Sequence, residues 1–256
     1  MYAWVCNSER GGLSVLVTST FYRAVQWVVF LGLTLVVALT ISWALWAQVD
    51  FAYPWLHDHV GMAENIAYYG PRNAIRPAFE QTTTQERIRL FHGIVQAIQQ
   101  HGAGLESLMY HDAQGKPINT LLTLPEIVHL QDVANLLDKL KQGALVALFG
   151  WVLMLVRLLQ SRQVLPTPKQ LLLGMTGLGV VVGLVLVLGA VQVFYQLHEW
   201  VFPAGHQWFF YYEQSLMSMM MQAPDLFGYI AVMLGVTALM ITGGLGALYQ
   251  RLVSKR

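Results

Sequence analysis

Two histidines carry the proton-transfer chemistry that this sequence could support. His129 lies six residues after Thr123, and Asp132 follows it by three. On a helix that spacing puts imidazole and carboxylate on one face, where the carboxylate can orient the ring or stabilise its protonated form. His198, followed directly by Glu199, ends a strongly apolar run in Phe194-Tyr-Gln-Leu-His-Glu-Trp-Val-Phe-Pro203. A histidine at that boundary would face lipid headgroups, within reach of an ester. Both have a plainer reading as polar residues on a solvated or interfacial surface, among the Trp and Tyr that anchor membrane helices.

Other reactive residue types suggest less. The eight histidines show no H-x-x-x-H or H-E-x-x-H spacing, and His57 and His59 are separated by one residue in a loop, so no metal site is expected. Cys6 is the single cysteine, which excludes an intrachain disulfide. Arg72 and Arg76 could bind a headgroup phosphate or an oxyanion, but pairing with nearby acids is the preferred expectation.

The elements that position these residues belong to a membrane protein. The chain has 256 residues, 55% hydrophobic and 11% charged, where a soluble domain carries about 25% charged residues. Apolar runs near the roughly 20 residues that a bilayer core demands divide the chain into spans at 24–48, 143–160, 171–197 and 227–249. The first run is too long for a signal peptide and lacks a small-residue cleavage site. Arg10, Arg23, Arg162, Lys169, Arg251, Lys255 and Arg256 fall in segments 1–23, 161–170 and 250–256, with Arg157 near the end of the second span on the same side and Glu9 as the one acid among them. The positive-inside rule then places both termini in the cytoplasm. The other thirteen of fourteen acids and all eight histidines lie outside, in 49–142 and 198–226.

Within 49–142, the aromatic stretch Phe51, Tyr53, Trp55, Tyr68 and Tyr69 is expected at the headgroup layer. Residues 84–100 read as an amphipathic helix, with Ile88, Phe91, Val95 and Ile98 on one face, threonines at its cap, and Gly102 and Gly104 ending it. A small hairpin is expected over 108–123, turning at 112–116 around Gly115, with its second strand near 119–122. Thr123-Leu-Pro-Glu126 is a T-x-x-E capping box, so a helix starts there and runs toward the second span, whole or broken near Lys141. The fourth span opens at Pro224 or Asp225. The fold class is therefore mainly α: a four-helix transmembrane bundle capped by a small, mostly helical extracytoplasmic domain with a short β-hairpin.

Four spans, the capping-box helix Glu126-Ile-Val-His-Leu-Gln-Asp-Val133 before the second span, and Leu197-His-Glu-Trp-Val-Phe-Pro203 with Trp208-x-Phe210 after the third resemble the bacterial lipoprotein intramolecular transacylases. The resemblance implies an enzyme that moves an acyl chain within a diacylglyceryl lipoprotein, from a glyceryl ester to the amino group of the N-terminal cysteine, leaving a lyso-form. It implies that His129 and His198 are the essential pair; by their position beside these histidines, Asp132 and Glu199 are expected to orient them. Trp200, Phe202, Trp208 and Phe210 would line a lipid groove. Ser215 and Leu216 stand where the family pattern has Asp and Pro. The expected partners are the lipoprotein substrate and membrane lipid, with no cofactor, no metal and no nucleic acid. The chain is expected to act as a monomer at the outer face of the bacterial cytoplasmic membrane.

His129 near a helix start should feel the positive end of the helix dipole, which favours its neutral form, while Asp132 pulls the other way. Two other functional classes compete. A non-enzymatic assembly factor would present an exposed apolar patch to a partner. A transporter would need ionisable groups within the spans, and none lies away from the span ends.

Overall fold

In a computed structural model of the chain, residues 6–167, 180, 183, 184, 187 and 189–255 are described, with side chains from Tyr22 onward apart from that of Ala190. The chain runs through α1 (Cys6–Ala47), α2 (Tyr53–His59), α3 (Met62–Tyr69), α4 (Thr84–Gln99), the strands β1 (Met109–His111) and β2 (Pro117–Thr120), α5 (Leu124–Gln160), α6 (Ala190–Val201), α7 (Leu216–Met220) and α8 (Asp225–Ser254). Three helices are long and apolar enough to cross a membrane: α1 over Tyr22–Ala47, α5 and α8. The span expected at 171–197 lies mostly outside the described residues, and α6 is its visible end.

The helix α5 is continuous, with no break at Lys141. Its 37 residues rise about 1.5 Å each, to roughly 55 Å, whereas a bilayer core is about 30 Å thick. The helix is therefore longer than a bilayer core requires, and its first half, polar as far as Gln142, carries His129. The capping box sets its start: the backbone N–H and the hydroxyl of Thr123 both donate to Glu126 Oε2, each at 2.6 Å.

The helix α1 packs against both α5 and α8. Three polar side chains of this contact find partners across it. Trp151 Nε1 donates to Thr34 Oγ1 at 2.9 Å, Ser42 Oγ to the Leu234 carbonyl at 3.1 Å, and Trp46 Nε1 to Thr237 Oγ1 at 3.0 Å. Such pairing is what an apolar surround demands of a polar side chain.

The remaining elements build one core above α1 and α8. The helix α4 begins at Thr83, whose side chain accepts from Glu86 N, and buries Leu90, Phe91, Ile94 and Val95 as its amphipathic pattern requires. Gly102 and Gly104 adopt φ of +86° and +90° and turn the chain away. The hairpin turns where expected: Asp112 Oδ1 accepts from the N–H groups of Gln114 and Lys116, and Gly115 has φ +80°. The second strand is earlier than expected, and Leu121, whose N–H donates to the Leu108 carbonyl at 2.7 Å, and Leu122 follow it into the core.

The aromatic stretch corrects one expectation. Phe51 and Tyr53 are buried in the protein core and are not free to anchor in headgroups, whereas Trp55 and Tyr68 are exposed. Tyr53 stacks on Phe91 with centroids 4.1 Å apart, and its hydroxyl donates to the Met220 carbonyl at 2.9 Å, so burial satisfies both its ring and its polar end. The arginines also differ from expectation. Arg72 donates to the Tyr68 carbonyl and lies over the Tyr68 ring, and Arg76 Nη2 donates to the Leu122 carbonyl at 3.1 Å. Backbone acceptors, not acids, hold both.

Candidate active site

His129 occupies the second turn of α5 and is only 8% exposed. His198 stands in the last turn of α6. Their ring centroids are 6.1 Å apart, although 69 residues separate them in sequence. Aromatic rings surround the pair. Phe202 lies 5.1 Å from each imidazole, Phe194 4.0 Å and Trp208 5.0 Å from His198, and Phe210 5.9 Å from His129.

The environment fixes how these rings can behave. His198 Nδ1 lies 2.8 Å from the Phe194 carbonyl, one helical turn back. A carbonyl only accepts, so Nδ1 carries the proton and Nε2 of the neutral ring keeps its lone pair. Burial depresses the proton affinity of both rings. For His129 the value falls to about 4, first through burial and then through the neighbouring His198, with Asp132 opposing. For His198 burial also dominates, and its bond to Phe194 opposes. Both are neutral bases at neutral pH.

The pair opens onto an apolar cavity of about 410 Å³. Val133 and Leu136 of α5, Phe91, Ile94 and Val95 of α4, and Ile230 of α8 form much of its wall. Leu197, Val201, Phe209 and Phe227 line it as well and are themselves 41–48% exposed, so on that side the wall reaches the molecular surface. The volume falls in the range of small-ligand sites, and a lining of this kind suits a hydrocarbon chain. Among the described residues no group of three or more His, Cys, Asp or Glu could hold a metal ion.

The other expected residues divide. Phe202, Trp208 and Phe210 line the cavity beside the histidines. Trp200 is 74% exposed and lines none of it, because on α6 it points away from His198. Glu199 is exposed and accepts from Gln196 Nε2 at 3.2 Å. His198 is instead oriented by the Phe194 carbonyl. Asp132 accepts from His206 Nδ1 at 2.6 Å and acts on His129 only through its charge.

Three features were not singled out in the sequence. His206 joins the site from an irregular loop. Phe194 lies one turn before His198, a spacing that could have flagged it. Glu126 is fully buried, and besides Thr123 it accepts the hydroxyl of Ser215. Ser215 also accepts from Ser218 N at 2.9 Å and so caps α7. This buried bridge fastens the start of α5, three residues from His129, to the segment that carries Met217 and Ser218 into the cavity wall. Serine keeps the cap that an aspartate would supply, without setting a second carboxylate against Glu126.

Comparisons with known proteins fit this geometry. Residues 106–224 match the model of the family described as lipoprotein intramolecular transacylase Lit, a stretch that contains both histidines. A search of curated proteins finds no match. Solved structures of the membrane-integral lipoprotein intramolecular transacylase Lit from Bacillus cereus share the fold at 16% identity. A variant with a histidine-to-arginine mutation aligns with a TM-score of 0.63 over 96% of this chain and 97% of that one. A further structure aligns at 0.62 over 93% and 98%, and a histidine-to-alanine variant at 0.62 over 94% and 98%. The family that the histidine motifs resemble is thus the one whose model residues 106–224 match and whose fold the chain carries.

Proposed function

We propose that this protein is a membrane-embedded transacylase that moves an acyl chain from the glyceryl ester of a diacylglyceryl lipoprotein to the amino group of its N-terminal cysteine, giving a lyso-form lipoprotein. The observation that carries this reading is the pair of desolvated imidazoles, 6.1 Å apart, at an apolar cavity of about 410 Å³. An ester-to-amide transfer needs a base for the attacking amine and a proton for the departing glyceryl oxygen. A neutral imidazole such as His198, presenting Nε2, takes the proton as the C–N bond forms. It returns that proton as the C–O bond breaks. His129 faces the same reacting centre, and the two rings cannot both be protonated at this separation in a desolvated site.

Amine and ester sit on one lipid-modified residue, so the reaction starts with high effective molarity and the protein supplies mainly orientation and proton transfer. The acyl chain lies in the cavity and enters through the wall formed by Leu197, Val201, Phe209 and Phe227. In the membrane the chain makes four spans, at 24–48, 143–160, 171–197 and 227–249, with both termini cytoplasmic. The charge asymmetry of the flanking segments supports that orientation and puts the histidines at the outer face.

The test is to express His129→Ala and His198→Ala variants with a reporter lipoprotein and weigh its N-terminal lipopeptide by mass spectrometry. Loss of the lyso-form at normal expression is expected from each. Full product from both would remove the histidines from the mechanism and favour a non-enzymatic assembly factor.

A further inference from the structure

Asp132 and His206 form a polar pair beside the cavity that the acyl-transfer steps above leave unused. On α5 the lining residues are His129, Leu130, Val133 and Leu136. At about 100° per residue, Asp132 falls about 60° round from His129, on the shoulder of that face. Asp132 is not itself among the lining residues but lies next to that face, one turn from Leu136. Its Oδ2 accepts from His206 Nδ1, with side chains 13% and 42% exposed respectively, so the pair meets water on one side. Among the described residues none donates to Oδ1 of Asp132, which leaves half of the carboxylate open. His206 comes from the loop that also brings Phe202 and Trp208 to His198.

The other carboxylates nearby are occupied or turned away. Glu126 is sealed by Thr123 and Ser215, Glu199 lies on the exposed face of α6, and Asp225 accepts from Gln222. Asp132 is close enough to His129 for its charge to act on that ring.

We propose that Asp132, held by His206, receives the α-ammonium of the substrate's N-terminal residue beside the cavity. This rests on the transacylase reading and names the group that places the amine. An α-amino group titrates near 7.7–8.0, so the substrate arrives mostly as a cation, which an apolar cavity rejects. A lipid-modified terminus has its acyl chains in the cavity and its polypeptide in water, so its ammonium falls at the junction where Asp132 stands. The proton balance then closes. The ammonium, bound to Oδ1, loses its first proton to the water that the pair meets and becomes the amine. Its second proton passes through the histidine pair to the glyceryl oxygen as the amide forms. Asp132 touches the substrate, and His206 is a positioning residue.

The experiment uses the full chain in lipid nanodiscs, with a diacylglyceryl lipopeptide bearing either a free or an N-acetylated terminus. The wild-type protein should bind the free amine about tenfold or more tighter than the acetylated form, the scale of one charge-assisted hydrogen bond. Asp132→Asn should erase that preference while leaving the acetylated peptide's affinity unchanged, and Asp132→Glu should restore part of it. His206→Ala should weaken the preference less. Equal wild-type affinity for both peptides overturns the proposal. So does a loss of both affinities alike in Asp132→Asn, the mark of a loop strap. Wild-type protein that binds neither peptide, or binds without forming a lyso-product, overturns the transacylase reading and this proposal with it.

Discussion

The two ends of the helix bundle are built from the same residue types and differ in what they leave open. At one end Trp27, Phe30 and Tyr249 meet edge to face or tilted, with centroids 5.7–6.1 Å apart, and Trp151 stacks on Phe30. Tyr249 closes that end by donating to the Gln163 carbonyl at 2.6 Å, and only about 60 Å³ remains. At the other end Phe194, Phe202, Trp208 and Phe210 gather around His129 and His198 but leave about 410 Å³. Protein interiors are close-packed, so a void of that size is held open by surrounding structure rather than left by chance. The aromatics at the closed end come from the three long helices, which pack on one another. Those at the open end come from α6 and an irregular loop, which the Glu126–Ser215 and Asp132–His206 bonds fasten from outside the cavity.

Removing the chemistry from the open end should have the largest effect. His198→Ala and His129→Ala are each expected to lower transacylation about 10²–10⁴-fold, read as lyso-form lipopeptide by mass spectrometry. Tyr249→Phe at the closed end should leave that product unchanged. Filling comes next. Val133→Phe should enter the large cavity without strain and cost about tenfold to a hundredfold in rate by displacing the acyl chain. Leu155→Phe, beside the small void, should leave the rate intact and cost about 1–3 kcal/mol of stability through overpacking, measured by thermal unfolding in detergent.

Breaking the fastening is expected to act on both stability and rate. Ser215→Ala removes a buried donor from Glu126 and the cap of α7, and should cost about 1–3 kcal/mol in the same unfolding assay. A drop in stability with no change in rate would separate this bridge from the geometry of the site.

At neutral pH the smallest effect is that of His129 protonation, which acts only in acid. His129 has a folded value of about 4 against about 6.5 unfolded, so it adds no pH dependence above 6.5. As pH falls from 6.5 to 4 the unfolded chain binds the proton first and the fold loses stability. His129→Phe should flatten that part of the stability curve. Imidazole NMR of the wild-type protein should find the His129 ring neutral down to about pH 4; protonation near 6.5 would mean that its ring is hydrated.

The sequence by itself determined the long helices and most of the elements between them. A run of apolar residues near bilayer length, a capping box at Thr123, and glycines at 102, 104 and 115 act through local energetics that hold in any surroundings. It also singled out the histidine motifs, because each ends or begins an element. Only the tertiary structure decided what those histidines touch. Asp132 is three residues from His129 but bonds His206, seventy-four residues on, because a helix shoulder offers its carboxylate to whichever donor the loop brings. Glu199 adjoins His198 yet points away, and a backbone carbonyl one turn back does the orienting instead. Phe51 and Tyr53 carry the composition of an interfacial belt but fill a core, since burial depends on what packs above them and α4 supplies Phe91 there. Local spacing sets the direction of a side chain along its own element; its partner, its burial and its proton affinity come from elements far away in the chain.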